Sequence, residues 1–360
     1  MNRLVIIGNG FDLAHGLKTS YADFLEWYKK DYISKLVGKP ISRYDDGLCK
    51  IVFNEDERME TIYSELLTFD AFCKDYLETN TYNIYSLEKS MLLIRIEKEY
   101  KSKGWVDIED DYYQLLKEII LGNRYNKKGE VQQLNYQFKC LKNKLVEYLK
   151  VEGDENKISI RPDLDIIFFS PIYIDKEIDN IYLESLPERN SLFIDLPREN
   201  TLVLNFNYTK IADEYCNSRD LKYLHIHGIL DNPESIIFGY GDDLDDDYST
   251  IVKYNENEFL KNIKIFRYLE DSVYKRLNNF IGSDKFQIII LGHSCGNSDR
   301  VLLNTLFNHK NCISIKPYYY INENGEDNYS DLTMNISRNF NNQIDLRNKI
   351  VIKRNCLPLK

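Results

Sequence analysis

The sequence predicts an α/β protein, with a Rossmann-like, mostly parallel sheet and a large α-helical insertion after its first strand. Three observations predict it. An apolar run at 4–7 opens the chain and leads into Gly8-Asn9-Gly10. A long stretch follows in which apolar residues recur three and four apart, the spacing of amphipathic helices. After residue 200, short apolar runs alternate with helical segments, as strands covered on both faces of a parallel sheet do. The opening strand has no neighbour in the helical stretch, so it is expected to join the later strands. This gives a discontinuous Rossmann-like domain over 1–20 and 200–360, with 21–199 as the insertion.

The elements follow in order. Ser20-Tyr21-Ala22-Asp23 fits a capping box, so a helix is expected to start at Ser20 and carry Phe24, Trp27 and Tyr28 inward. Helical spacing continues at 60–76, 87–100, 108–121 and 131–151. Trp105-Val106-Asp107-Ile108-Glu109 opens one of these helices, with carboxylates suited to a helix N-terminus and Trp105 as a packing staple. Pro162, Pro171, Pro187 and Pro197 break 152–200 into short pieces. Strands are then expected at 202–204, 223–226, 236–238, 288–291 and 313–315, with helices at 258–280 and 299–308.

Composition narrows the function. Hydrophobic residues make up 43% of the 360, with 28 Tyr and 17 Phe, enough to bury a large core. Lys and Arg total 47 against 57 Asp and Glu, a formal charge of −10 that repels phosphate backbones. Nucleic acid is therefore not the expected partner. The opening apolar run is too short for a signal sequence, and no stretch reaches the length of a membrane span. The seven cysteines are scattered without a CxxC pair and read as free thiols. A cytoplasmic protein is expected.

In open parallel sheets, ligands bind outside the carboxyl ends of the strands, so the residues there are the candidates. Gly8-Asn9-Gly10 allows a tight turn and close approach of a phosphate to backbone N–H groups, or equally a plain strand-to-helix turn. The full G-x-G-x-x-G fingerprint fails at Leu13. Asp12 fits a ribose-hydroxyl acceptor or a helix cap. In Asn205-Phe206-Asn207-Tyr208-Thr209, Asn207 stands at a strand end; taken alone, this segment favours a helix N-cap. His225-Ile226-His227-Gly228 holds two of the five histidines, and alternation sends both to one face. No further ligands are spaced to make a metal site with them. His227, beside Gly228, is the candidate general base. Gly292-His293-Ser294-Cys295-Gly296 matches a nucleophile elbow. The acid and histidine that follow it, Asp299 and His309, lie too close in sequence to complete a triad comfortably. Ser294 therefore ranks as a ligand contact ahead of a nucleophile. The run Asp242-Asp243-Leu244-Asp245-Asp246-Asp247 lacks the glycine and final glutamate of a calcium loop and reads as a solvated acidic loop.

Gly8-Asn9-Gly10-Phe11-Asp12-Leu13-Ala14-His15-Gly16-Leu17, with Thr19-Ser20-Tyr21 and Asp23-Phe24 after it, resembles the opening of the AbiH family of bacterial abortive-infection proteins. The 105–109 segment, Asn205 to Thr209, His225 to Gly228, Phe238-Gly239-Tyr240-Gly241 and Gly292-His293-Ser294 resemble its later motifs in the same order. The resemblance implies a role in defence against phage. More distantly, the strand-end order is similar to the sirtuin-like fold that many defence proteins use to bind and destroy NAD. That likeness implies a dinucleotide held at Gly8 and Gly10, a reaction site at Asn207 and at His227 with Gly228, and cofactor contacts at Gly292 and Ser294. Two residues depart from that pattern: Asn9 replaces the small residue between the glycines, and Thr209 stands where it has an Asp. In the expected site Asn9 joins the two glycines at the pyrophosphate, Asp12 takes a ribose hydroxyl, and His293 lines the cofactor beside Ser294.

The expected activity is hydrolysis of NAD at the nicotinamide–ribose bond, with no metal. Its rivals are a non-catalytic nucleotide-binding sensor and a Ser294-dependent hydrolase. Expected partners are a dinucleotide or related nucleotide, and a phage-derived activator or a second copy of the chain.

Overall fold

The computed structural model describes residues 1–36, 43–53, 85–103, 107–153, 159–186, 192–241 and 246–359. The helix expected at 60–76, the Trp105 staple and most of the acidic loop lie outside these residues. The chain forms two compact units: Met1–Lys18 with Glu152–Tyr248 and Ile263–Lys360, and Thr19–Val151 with Ser249–Asn262.

The first unit is built on a five-stranded parallel sheet. Its strands are β1 (Asn2–Ile7), β2 (Thr201–Asn205), β3 (Lys222–His225), β4 (Phe286–Leu291) and β5 (Cys312–Tyr318), in the order β5-β4-β1-β2-β3. The opening strand is central, so both its faces need apolar cover. Leu4 and Ile6 join Leu204, Ile288 and Ile290 against Leu277, Leu303 and Leu306 from later helices. Val5 and Ile7 join Val203 and Ile289 against Phe168, Ile211 and Tyr215 on the other side. This alternation under two helical layers makes the fold Rossmann-like, with the strand order reversing between β1 and β4.

Residues 152–199, which the sequence reading grouped with the insertion, fall in the sheet unit. Buried polar bonds tie them there. Arg3 of β1 donates to the carbonyls of Phe168 (3.0 Å) and Ser170 (2.5 Å). Glu177 accepts from Lys316 of β5 (2.7 Å) and Gln287 of β4 (2.8 Å). Proline spacing shows where this stretch breaks, not what it docks on.

Two other elements differ from expectation. Residues 236–238 form no strand, because the chain reverses after β3 at Gly228 (φ +82°). The helix expected at 258–280 is three pieces, Asn257–Phe259, Lys264–Tyr268 and Val273–Ser283, since the chain passes from one unit to the other at residue 263.

The second unit carries helices Tyr21–Leu36, Met91–Lys103, Ile108–Leu121 and Lys127–Glu152. Ser20 Oγ accepts from the Asp23 N–H at 3.1 Å, and Asp107 caps its helix through the Asp110 N–H, as the local rules require. This unit also holds an antiparallel sheet of Arg43–Asp45, Cys49–Phe53 and Tyr85–Lys89. Residues 87–89, expected in a helix, belong to that sheet. The helix starts only at Met91, where Ser90 Oγ accepts from the Leu93 N–H.

Candidate functional site

The ends of β1, β2, β3 and β4 converge along one edge of the sheet, at the point where strand order reverses. Two backbone turns meet there in direct contact. Gly8 N–H donates to the Leu291 carbonyl (3.0 Å), and Gly10 N–H to the Gly292 carbonyl (2.8 Å). A Cβ on Gly8 would lie 2.6 Å from the His293 Cα, and one on Gly10 would lie 2.8 Å from the Gly292 Cα. Both glycines are thus required by turn-on-turn packing. Their N–H groups, expected to cradle a phosphate, are spent on these carbonyls, and Asn9 lies exposed between them.

Asp12 follows in the short helix Asn9–Ala14, where it is buried. Its carboxylate accepts from Asn207 Nδ2 (2.7 Å) and from Thr209 Oγ1 (2.6 Å). Burial pushes the Asp12 carboxyl up to about 7, while the Thr209 and Asn207 hydrogen bonds and the nearby His225 pull it down. Thr209, the departure from the expected pattern, is therefore a working partner of Asp12. The helix-cap reading of Asn207 is corrected here. The helix Ile211–Arg219 is preceded by Lys210, and Asn205 organises the turn by accepting from the Asn207 N–H (2.9 Å). Asn207 Nδ2 bonds the Gly8 carbonyl (3.0 Å) as well as Asp12. Both amide protons being spent, Asn207 can offer a ligand only its carbonyl oxygen.

The two histidines at the end of β3 do not share a face, because the strand ends at His225 and the chain bends before His227. His225 turns to Asp213, with Nε2 at 2.8 and 3.0 Å from its oxygens, and its Nδ1 donates to the main-chain carbonyl of Asn207 at 3.2 Å. His227 turns the other way. Its Nε2 lies 3.0 Å from the Tyr268 hydroxyl and 3.2 Å from Asp299 Oδ1. Burial, together with the charge of Lys264, lowers its pKa. Phe206 joins the two sides of the site, its ring edge-on to His227 (5.2 Å between centroids) and His293 (4.3 Å).

The nucleophile-elbow geometry is not reproduced. The left-handed residues are Gly292 (φ +69°) and Cys295 (φ +54°), while Ser294 lies exposed between them. Among the described residues no histidine nitrogen hydrogen-bonds to the Ser294 hydroxyl. His309 sits against Phe286, the first residue of β4, at the far end of the strand from Ser294. Asp299 faces the His227 cluster instead.

Sequence reasoning missed Lys264, Tyr268 and the role of Asp299. Lys264 is almost fully buried and donates to Asp299 Oδ1 (2.7 Å) and to the Ser298 carbonyl (3.2 Å). Burial alone would raise the Asp299 carboxyl, yet Lys264 and His227 hold it well below the usual carboxylate range. One signal was present. The Phe238–Gly241 motif supports this pair, since the Tyr240 carbonyl accepts from the Lys264 N–H (2.9 Å).

Among the described residues no group of three or more His, Cys, Asp or Glu is placed to hold a metal ion, and no helix is long and apolar enough to cross a membrane. Comparison with curated proteins finds no match. A sequence model described as "Bacteriophage abortive infection AbiH" matches residues 4–321, from the first strand through the last strand of the sheet. The chain belongs to the AbiH family.

Proposed function

We propose that this AbiH protein acts in anti-phage abortive infection by hydrolysing NAD at the nicotinamide–ribose bond. One observation supports the reading: an Asp12–Asn207 pair and a His227–Asp299 pair both follow strand ends at the carboxyl edge of a parallel sheet whose strand order reverses there. The choice of NAD follows the likeness in strand-end order described above.

Cleavage of an N-glycosidic bond develops oxocarbenium character at the ribose C1′. The site must then orient a nucleophile, accept its proton and keep bulk water out. Asn207 can accept from a water or ribose hydroxyl through its carbonyl oxygen. His227, kept neutral by burial, is suited to take a proton. Asn9 and Ser294 lie exposed and would meet the rest of the dinucleotide; Gly228, Gly292 and His293, less exposed at the same strand ends, would line the site.

The test is nicotinamide release from NAD by the purified chain, with and without phage components. Asn207→Ala and His227→Ala should each lower turnover by about 10²–10⁴-fold, the usual worth of positioned acid–base help. Full turnover in both variants would overturn the assignment. A second reading, a nucleotide-binding sensor without turnover, is favoured by one observation: the Gly8 and Gly10 N–H groups and both Asn207 amide protons are already satisfied within the chain. Binding of NAD with no nicotinamide release under any condition selects it.

A further inference from the structure

Asp299 is shared by three cationic or proton-bearing groups. Lys264 Nζ (2.7 Å) and His227 Nε2 (3.2 Å) approach Oδ1, while His293 Nε2 approaches Oδ2 at 3.4 Å. The two histidines are not equivalent. His293 Nδ1 accepts from the Cys295 N–H at 3.0 Å, so its proton is on Nε2 and both ring nitrogens are committed. His227 meets Asp299 and the Tyr268 hydroxyl through Nε2 alone, and among the described residues nothing hydrogen-bonds to its Nδ1.

We propose that Asp299 is the positioning residue for His227: it fixes the Nε2–H tautomer and leaves Nδ1 as the nitrogen that takes the proton. This rests on the reading of His227 as the base of the site. An ionised carboxylate can only accept, so the nitrogen facing it must carry the hydrogen. Lys264 makes the arrangement tenable, because its ammonium balances the buried carboxylate and removes the need for an imidazolium. The other groups acting on His227 are the His293 ring, the Tyr268 hydroxyl and the aromatic rings of Phe206, Tyr208 and Tyr268. The fixed charges beside it are those of Lys264 and Asp299.

The step balances. A water oxygen bonds to C1′ as the C1′–N bond breaks, and that bonding pair leaves with nicotinamide. The water proton passes to His227 Nδ1, giving an imidazolium beside Asp299, and then to solvent.

The test uses the full chain and ¹⁵N–¹H correlation of its five histidine rings at pH 7.5, with His227→Gln to assign the resonance. The expected result is a neutral His227 protonated on Nε2. A ring protonated on Nδ1, or on both nitrogens, overturns the proposal. The wild-type spectrum decides this without a variant and without turnover, so it stands apart from the NAD reading, which nicotinamide release tests. In the kinetic arm, Asp299→Asn should lower kcat for nicotinamide release by about 10²-fold or more, with KM for NAD unchanged and the acid limb of the pH profile displaced. An unchanged kcat and profile would also overturn it.

Discussion

Replacing Asp12 with Asn should make the sheet unit more stable at neutral and alkaline pH, and the gain should grow with pH. The carboxyl stands at about 7 in the folded chain against an ordinary 3.8. A raised folded-state value means that the stabilising contribution is complete below the unfolded value and is lost as pH rises through the folded one. Between about pH 4 and 7 the folded state therefore holds a proton that the unfolded state has released. Each unit is worth about 1.4 kcal/mol, so wild-type stability falls on the order of 4 kcal/mol over this window. Asn has the same shape and does not titrate. Its carbonyl can accept from Asn207, and its amide can donate to the Thr209 hydroxyl, which then acts as an acceptor. Urea unfolding of wild type and Asp12→Asn, followed by circular dichroism at pH 5, 6, 7 and 8, reads the difference directly. It should widen by about 3 kcal/mol from pH 5 to pH 8. A difference that stays constant would refute the reasoning. It would mean that the Asn207 and Thr209 donors, with His225, overcome burial and keep Asp12 ionised throughout.

Three further outcomes are expected. Gly292→Ala places a Cβ 2.2 Å from the Phe11 nitrogen at φ +69°, so it should cost at least about 1–3 kcal/mol; an unchanged melting temperature contradicts the turn-on-turn packing. Glu177→Ala leaves Lys316 buried without its carboxylate and should cost about 3–5 kcal/mol in urea unfolding, most of it recovered by adding Lys316→Met. A serine-directed fluorophosphonate should leave the wild-type chain unlabelled, since among the described residues no histidine pairs with Ser294; labelling at Ser294 would revive the hydrolase reading.

Local rules made much of the fold legible. The opening strand is a contiguous apolar run that both sheet faces need, and Ser20 and Asp107 cap their helices by bonds spanning three residues. Asp12, Asn207 and His227 stand out in the sequence as candidates because each follows a predicted strand. What failed was information carried by distant partners. Alternation put His225 and His227 on one face, but the strand stops at His225. Gly8 and Gly10 read as a phosphate cradle, yet their spacing serves the turn that carries Gly292. Lys264 and Tyr268 lie on a five-residue helix too short to show periodicity, and Asp299 gained its role only when the fold set it beside them. The tie between residues 162–178 and the sheet runs through Arg3 and Glu177, charged groups that sequence reasoning sends to the surface.

In the proposed function, four strand ends form one nucleotide site. A crystal structure of the chain grown with NAD tests it most directly. The expected density places the nicotinamide ribose between the Asn207 carbonyl oxygen and His227, with the remainder passing over Asn9 and Ser294. NAD bound elsewhere on the chain, or absent at saturating concentration, would contradict it.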